Sequence, residues 1–177
     1  MKTLIDHMNE ALKIGKNLSK FSTYSCQPKN KDELKEIIYD RMEKEGLNCD
    51  LNDIDTSLIT NMSWLFSHYD FNGDISKWDV SKVTDMSYMF YNSGFNGDIS
   101  NWNVSSVEDM YSMFYGSKFN QNISNWNVSK VKDMSYMFTN SKFNKDISKW
   151  NIRKDCETYS IFAKAPIKEQ FKPRLQS

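Results

Sequence analysis

A repeat of 24 residues runs through most of this chain and limits what it can fold into. The period is marked by methionines that each lie 24 residues after the one before: Met62, Met86, Met110 and Met134. The unit reads W-x-V-S-x-V-x-D-M-x-x-M-F-x-x-S-x-F-N-x-x-I-S-x and begins at Trp78, Trp102 and Trp126, with a looser copy from Ile54 and a decayed one from Trp150. Such a period is typical of stacked repeat proteins, in which each unit packs on its neighbours. The 177 residues therefore suit one elongated domain.

The apolar positions within a unit predict one short helix and one short strand. Four apolar residues have the spacing of one helix face: Val83, Met86, Met89 and Phe90. In the segment FNGDIS, Ile99 lies between polar neighbours, as in a very short strand. One strand and one helix per unit, stacked in parallel, predict an α/β repeat solenoid.

Two further helices are predicted before the repeat. Asn30 and Glu33 resemble a capping box and Gly46 a helix stop, which predicts a cap helix over residues 31–45. The apolar residues Leu4, Ile5, Met8 and Leu12 predict a helical segment over residues 2–18.

The repeat pattern ends where Asp155 and Thr158 enter columns that are apolar in earlier units. A polar last unit is expected, because an array of repeats needs an outer face that tolerates water. The predicted organisation is an N-terminal helical cap at 1–46, a repeat domain at 47–162 and a C-terminal cap or tail at 163–177.

The strings WDVSKVTDMSYMF and FNGDIS resemble the BspA-type leucine-rich repeat, in its branch of 24-residue surface-protein repeats. The resemblance covers about residues 47–162. It implies a curved solenoid with short parallel strands on the concave side, short helices on the convex side and a helical N-terminal cap. It also implies adhesion or protein binding, and it identifies no ligand.

Two groups of residues are candidates for binding a partner. The first is a convex aromatic group outside the shared apolar face, comprising Trp64, Tyr88, Tyr91, Tyr111, Tyr115 and Tyr136. Surface aromatics are enriched at binding hot spots, but rings that cover the seams between units are an equally good interpretation. The second is a concave acidic column, comprising Asp74, Asp98, Asn122 and Asp146. It favours a cationic partner, although solvated or self-capping carboxylates are the more economical interpretation.

A third column, Asn48, Asn72, Asn96, Asn120 and Asn144, is predicted to be structural. Side-chain amides repeated once per unit can satisfy backbone groups as an asparagine ladder. We therefore do not expect this column to form a site.

Composition excludes several classes of function. Lys plus Arg equals Asp plus Glu at 23 each, which gives no basic footprint for nucleic acid or an anionic membrane. The two histidines, His7 and His68, lie far apart, and no metal-ligand spacing, serine–base pair or phosphate loop is present. We expect no enzyme activity, no metal and no cofactor.

The expected function is therefore non-enzymatic protein binding by a chain that is a monomer by itself. The N-terminus lacks the apolar run of a secretory signal, and the three cysteines are odd in number and widely spaced, so a cytoplasmic location is expected. One hypothesis is an intracellular inhibitor or adaptor, of the kind that a phage or mobile element encodes against host defence. The alternative is a structural or adhesive module of a surface or particle.

Overall fold

The computed structural model describes residues 24–174, so the helical segment predicted over residues 2–18 lies outside the described residues. The regular elements within residues 24–174 are one α-helix, α1 (Lys31–Glu45), and one 3-10 helix (Glu169–Phe171). No helix in this part of the chain is long and apolar enough to cross a membrane.

Helix α1 has the caps that the sequence predicts. The Oδ1 atom of Asn30 accepts from the backbone N–H of Glu33 at 3.0 Å. At the other end Gly46 adopts φ 87° and its N–H donates to the carbonyl of Met42. The buried face consists of Leu34, Ile38 and Met42, one residue per turn. This face packs α1 onto the beginning of the repeat.

The predicted α/β repeat solenoid, with parallel strands on a concave side and helices on a convex side, is wrong for the described residues. Between α1 and the 3-10 helix the repeat is built from consecutive turns, and residues 24–174 form no sheet. Within this part of the chain, β-type pairing is limited to isolated parallel bridges: Cys26–Ile54, Asp50–Asp74, Asn61–Asp85, Asp85–Asp109, Asp109–Asp133 and Asp133–Glu157.

Hydrogen bonding between units explains why the segment predicted as a helix is not one. In an α-helix each N–H after the first turn donates to the carbonyl four residues earlier in the same helix. Here alternate N–H groups donate to the next unit, at 2.7–2.9 Å: Met86 to Asp109, Tyr88 to Tyr111, Phe90 to Met113 and Asn92 to Tyr115. The N–H groups in between close tight turns: Met89 to Met86, Tyr91 to Tyr88 and Ser93 to Phe90. The backbone thus divides its bonds between its own unit and the neighbouring one.

Left-handed backbone conformations also break the helical pattern. Two positions per unit have φ between 48° and 64°, and they recur every 24 residues as Trp64, Tyr88, Ser112, Tyr136 and Ser160, and as His68, Asn92, Gly116, Asn140 and Lys164. An α-helix cannot continue through such residues. The apolar face was predicted correctly as buried, since Val83, Met86, Met89 and Phe90 are all fully buried.

The segments predicted as strands are joined by side chains. The Oδ1 atom of Asn72 accepts from the backbone N–H of Asn96 at 2.8 Å, and the same bond links Asn96 to Asn120 and Asn120 to Asn144. This confirms the asparagine ladder for four of its five members. Asn48 does not take part in this way, because Asn72 donates its N–H to the carbonyl of Leu47.

The core consists of aromatic files that run across the units. Phe66, Phe90, Phe114 and Phe138 stack at centroid distances of 5.5–5.7 Å, and Phe71, Phe95, Phe119 and Phe143 stack at 6.1–6.2 Å. Each Trp indole N–H of this core donates to a carbonyl 27 residues earlier, as Trp102 does to Ile75. The core of each unit therefore packs on the units on either side, as stacked repeats require.

Candidate binding surface

The structure brings all six residues of the predicted aromatic group into one surface feature, which we call the aromatic row. Its main line joins Trp64 to Tyr88 at a centroid distance of 3.9 Å, Tyr88 to Tyr111 at 5.1 Å and Tyr111 to Tyr136 at 5.7 Å. The line continues from Tyr136 to Tyr159 at 5.2 Å. Tyr159 is a member that the sequence prediction missed.

A side branch widens the row. Tyr91 lies 5.6 Å from Tyr88 and stacks on Tyr115 at 4.9 Å. His68 packs edge-on against Tyr91, and the amide of Asn140 donates to the Oη atom of Tyr115 at 3.0 Å. The rings are therefore held in place by neighbours from adjacent units.

The main line stays continuous because each unit places one aromatic residue at either of two adjacent positions. The successive pairs are Ser63–Trp64, Ser87–Tyr88, Tyr111–Ser112, Ser135–Tyr136 and Tyr159–Ser160. Where the second position loses its ring, the first one supplies it. This alternation is visible in the sequence, but only when two columns are compared together, and a search of single columns misses it.

The rings of the row are partly exposed although they cover seams between units. Trp64 is 44 % exposed and Tyr159 is 68 % exposed, while Tyr88, Tyr91, Tyr111, Tyr115 and Tyr136 are half-buried. Burial, with a hydrogen bond to Tyr111, raises the pKa of the Tyr88 phenol. The Tyr88 phenol is therefore uncharged at neutral pH.

Three of these rings are held on left-handed backbone: φ is 64° at Trp64, 57° at Tyr88 and 59° at Tyr136. This conformation costs a non-glycine residue about 1–2 kcal/mol. It persists because the bonds to the next unit fix the backbone on both sides of each position.

The predicted acidic column is a set of local turns. The four residues are exposed, and each uses Oδ1 to accept the backbone N–H of the serine two positions later at 2.9–3.0 Å: Asp74, Asp98, Asn122 and Asp146. Hydrogen bonds from these serines lower the pKa of the Asp74 and Asp146 carboxyls. The self-capping interpretation thus accounts for the column, and without a sheet the labels concave and convex no longer apply.

Such turns occur three times in one unit, which the sequence prediction also missed. In the unit that begins at Trp78, Asp79, Asp85 and Asp98 each accept the backbone N–H of the residue two positions later. The sequence signal is the recurring D/N-x-S triplet, because short carbonyl side chains favour this turn. The Asn-x-Ser triplets at Asn103 and Asn127 belong to the same set.

A second acidic row lies along the parallel bridges, formed by Asp85, Asp109, Asp133 and Glu157. Burial raises the pKa of Asp109, and the charges of Asp85 and Asp133 raise it further. Asn61 begins this row, and its Nδ2 atom donates to Oδ2 of Asp85 at 2.8 Å.

The described residues offer no grouping of three or more His, Cys, Asp and Glu side chains that could hold a metal ion. The thiols of Cys26, Cys49 and Cys156 are unpaired. Burial raises the pKa of all three, to about 11 for Cys156. A thiol with a raised pKa is a poor nucleophile at neutral pH.

The geometry defines a repeat protein whose units share backbone bonds and whose surface carries a continuous row of aromatic side chains. The chain matches the model of a family described as "Mycoplasma protein of unknown function, DUF285" over residues 32–139 and again over residues 92–174. It belongs to this family, and membership is consistent with the resemblance to BspA-type repeats. Comparison with curated proteins and with solved structures gives no match.

Proposed function

We propose that this chain is a non-catalytic scaffold that binds another protein through the aromatic row. The observation that carries the proposal is the alternation between adjacent positions, which gives every unit from Ser63–Trp64 to Tyr159–Ser160 one ring on the same line. Core packing does not require this line, because the Phe and Trp files fill the interior.

The physical properties of the row support a binding role. Aromatic side chains supply large contact areas at a low cost in conformational entropy, and they dominate binding hot spots. These rings are already ordered by stacking, so a partner need not immobilise them. The phenol groups add hydrogen-bonding capacity at the rim.

Within this proposal the chain belongs to the BspA-type repeat branch. It acts as an inhibitor or adaptor that covers a surface of its partner. Three unpaired thiols support a reducing compartment. The charge of the chain is balanced, which supports a protein partner over nucleic acid.

The test compares removing a ring with moving it. The removal variant carries Tyr88→Ser, and the matched control carries Ser87→Tyr with Tyr88→Ser, which imitates the natural Tyr111–Ser112 pair. Each immobilised protein captures partners from a bacterial lysate, and circular dichroism checks that each is folded. We expect a specific protein to be captured by the wild type and the control but not by the removal variant. Equal capture by all three would contradict the role of the row.

A further inference from the structure

The last unit of the stack presents a row of backbone donors to the outside. The unit before it donates four N–H groups at 2.8–2.9 Å: Met134 to Glu157, Tyr136 to Tyr159, Phe138 to Ile161 and Asn140 to Ala163. The equivalent N–H groups in the last unit belong to Thr158, Ser160, Phe162 and Lys164. No residue of 24–174 accepts a hydrogen bond from any of these four. We call this the C-terminal edge.

The C-terminal edge keeps the geometry of an interior unit. Ser160 and Lys164 have φ of 50° and 57°, like their equivalents in earlier units. Carbonyls of the last unit accept backbone hydrogen bonds from the preceding unit. Phe162 stacks on Phe138 at a centroid distance of 5.9 Å. All four donor residues are at least partly exposed. The donors are therefore fixed in direction before any partner arrives.

The opposite end of the stack differs, because α1 covers it. Leu34, Ile38 and Met42 pack there, and Lys31 donates from Nζ to Oγ of Ser63 at 3.2 Å. Ser63 is buried, whereas its equivalent in the next unit is partly exposed. The complementary edge of a second copy is thus covered, which argues against head-to-tail pairing of two copies.

Charge is divided between the two halves of the described chain. Residues 31–117 hold 6 Lys or Arg against 16 Asp or Glu, whereas residues 118–174 hold 12 against 5. The last unit, residues 150–174, holds 6 Lys or Arg residues and 3 Asp or Glu residues. A partner at the C-terminal edge therefore meets an excess of positive charge.

We propose that the C-terminal edge binds an extended acidic segment of another protein, whose alternate carbonyls accept from Thr158, Ser160, Phe162 and Lys164. Open rows of backbone donors are templates for such pairing, in which main-chain bonds supply affinity and charge supplies selectivity. The donors Thr158 and Ser160 flank Tyr159, the last ring of the aromatic row. The backbone pairing proposed here does not depend on the function of the row.

The probe is a synthetic peptide of residues 104–117, VSSVEDMYSMFYGS, which carries two acidic residues and no Lys or Arg. In the intact chain this segment supplies the accepting carbonyls of Asp109, Tyr111, Met113 and Tyr115. Amide hydrogen exchange of the full chain is followed by NMR with and without the peptide. We expect the amides of the four edge residues to exchange fast in the free protein and to become protected when peptide is added.

Two variants separate the edge from other sites. Lys164→Glu should weaken peptide binding about fivefold at low salt, whereas Lys82→Glu, the same charge change far from the edge, should leave it unchanged. Tyr88→Ser should also leave it unchanged, which separates this site from the aromatic row. The proposal is overturned if the peptide protects none of the four amides, or if they become protected in the protein by itself as a dimer forms at rising concentration.

Discussion

The inner units and the last unit share one sequence register but face different surroundings. In the inner unit that begins at Trp102, the columns of Val107 and Met110 are buried between neighbours on both sides. In the last unit the same columns hold Asp155, which is exposed, and Thr158, which is half-buried. The comparison shows that a unit is stable because of its neighbours, and that a unit with one neighbour has a side that remains available for binding.

A charge placed in an inner unit should destabilise the protein far more than a charge placed in the last unit. Met110→Asp puts a carboxylate in a fully buried column, so the free energy of unfolding should fall by more than about 4 kcal/mol and the whole stack should unfold. Ile161→Asp, in the last unit, should cost about 1–2 kcal/mol and only fray that end. Urea unfolding followed by circular dichroism measures both. Equal losses of stability would refute the difference between inner and last units.

The asparagine ladder gives a smaller effect with a natural control. Asn120→Ala removes the Oδ1 atom that accepts from the backbone N–H of Asn144, leaving a partly buried donor unpaired. The free energy of unfolding should fall by about 1–3 kcal/mol. Asn48→Ala, in the same column but outside the ladder, should change it by less than about 0.5 kcal/mol. If the two substitutions cost the same in urea unfolding, the ladder does not stabilise the stack.

The acidic row on the parallel bridges gives the smallest effect. Asp109→Asn keeps the Oδ1 acceptor for the N–H of Tyr111 and removes repulsion from Asp85 and Asp133. It should stabilise the protein at pH 7 by less than about 1 kcal/mol. Asp98→Asn, which copies the natural Asn122, should be neutral within about 0.5 kcal/mol.

The advantage of the Asp109→Asn protein should depend on pH. The folded-state pKa of Asp109 is raised, so protonation favours the folded wild type as pH falls through that pKa towards the ordinary value near 3.8. The stability difference between the two proteins should therefore shrink over this range in thermal unfolding at several pH values. A difference that grows with acidity would mean that Asp109 is stabilised as a carboxylate.

The sequence was sufficient to predict the register, the buried columns, helix α1 and the asparagine ladder. It did not predict the conformation of a unit, because a row of turns and a short amphipathic helix bury apolar residues at similar spacing. The bonds that decide between them join residues of different units and leave no local signal. The left-handed backbone positions were not predicted either. One of the two columns holds Trp64, Tyr88 and Tyr136, whereas glycine or asparagine usually marks such a position in a sequence. The other column holds Asn92 and Gly116, residue types that do indicate a left-handed backbone.

For the binding surfaces, too, the sequence predicted some features and missed others. The six predicted aromatic residues lie together, because residues one period apart meet in any stack of this register. The acidic column was harder to interpret, because its role as a turn depends on the backbone two residues later. Tyr159 was missed because the ring of each unit alternates between two adjacent columns. The C-terminal edge was missed because it depends on where the stack ends.

The fold requires that alternate backbone N–H groups of a unit bond to the next unit and do not form a helix. Scalar couplings across hydrogen bonds, measured by NMR on isotope-labelled protein, test it directly. We expect couplings from the amide nitrogen of Tyr88 to the carbonyl carbon of Tyr111 and from Phe90 to Met113. A coupling from Phe90 to Met86, four residues earlier in its own unit, would show a helix and contradict the account.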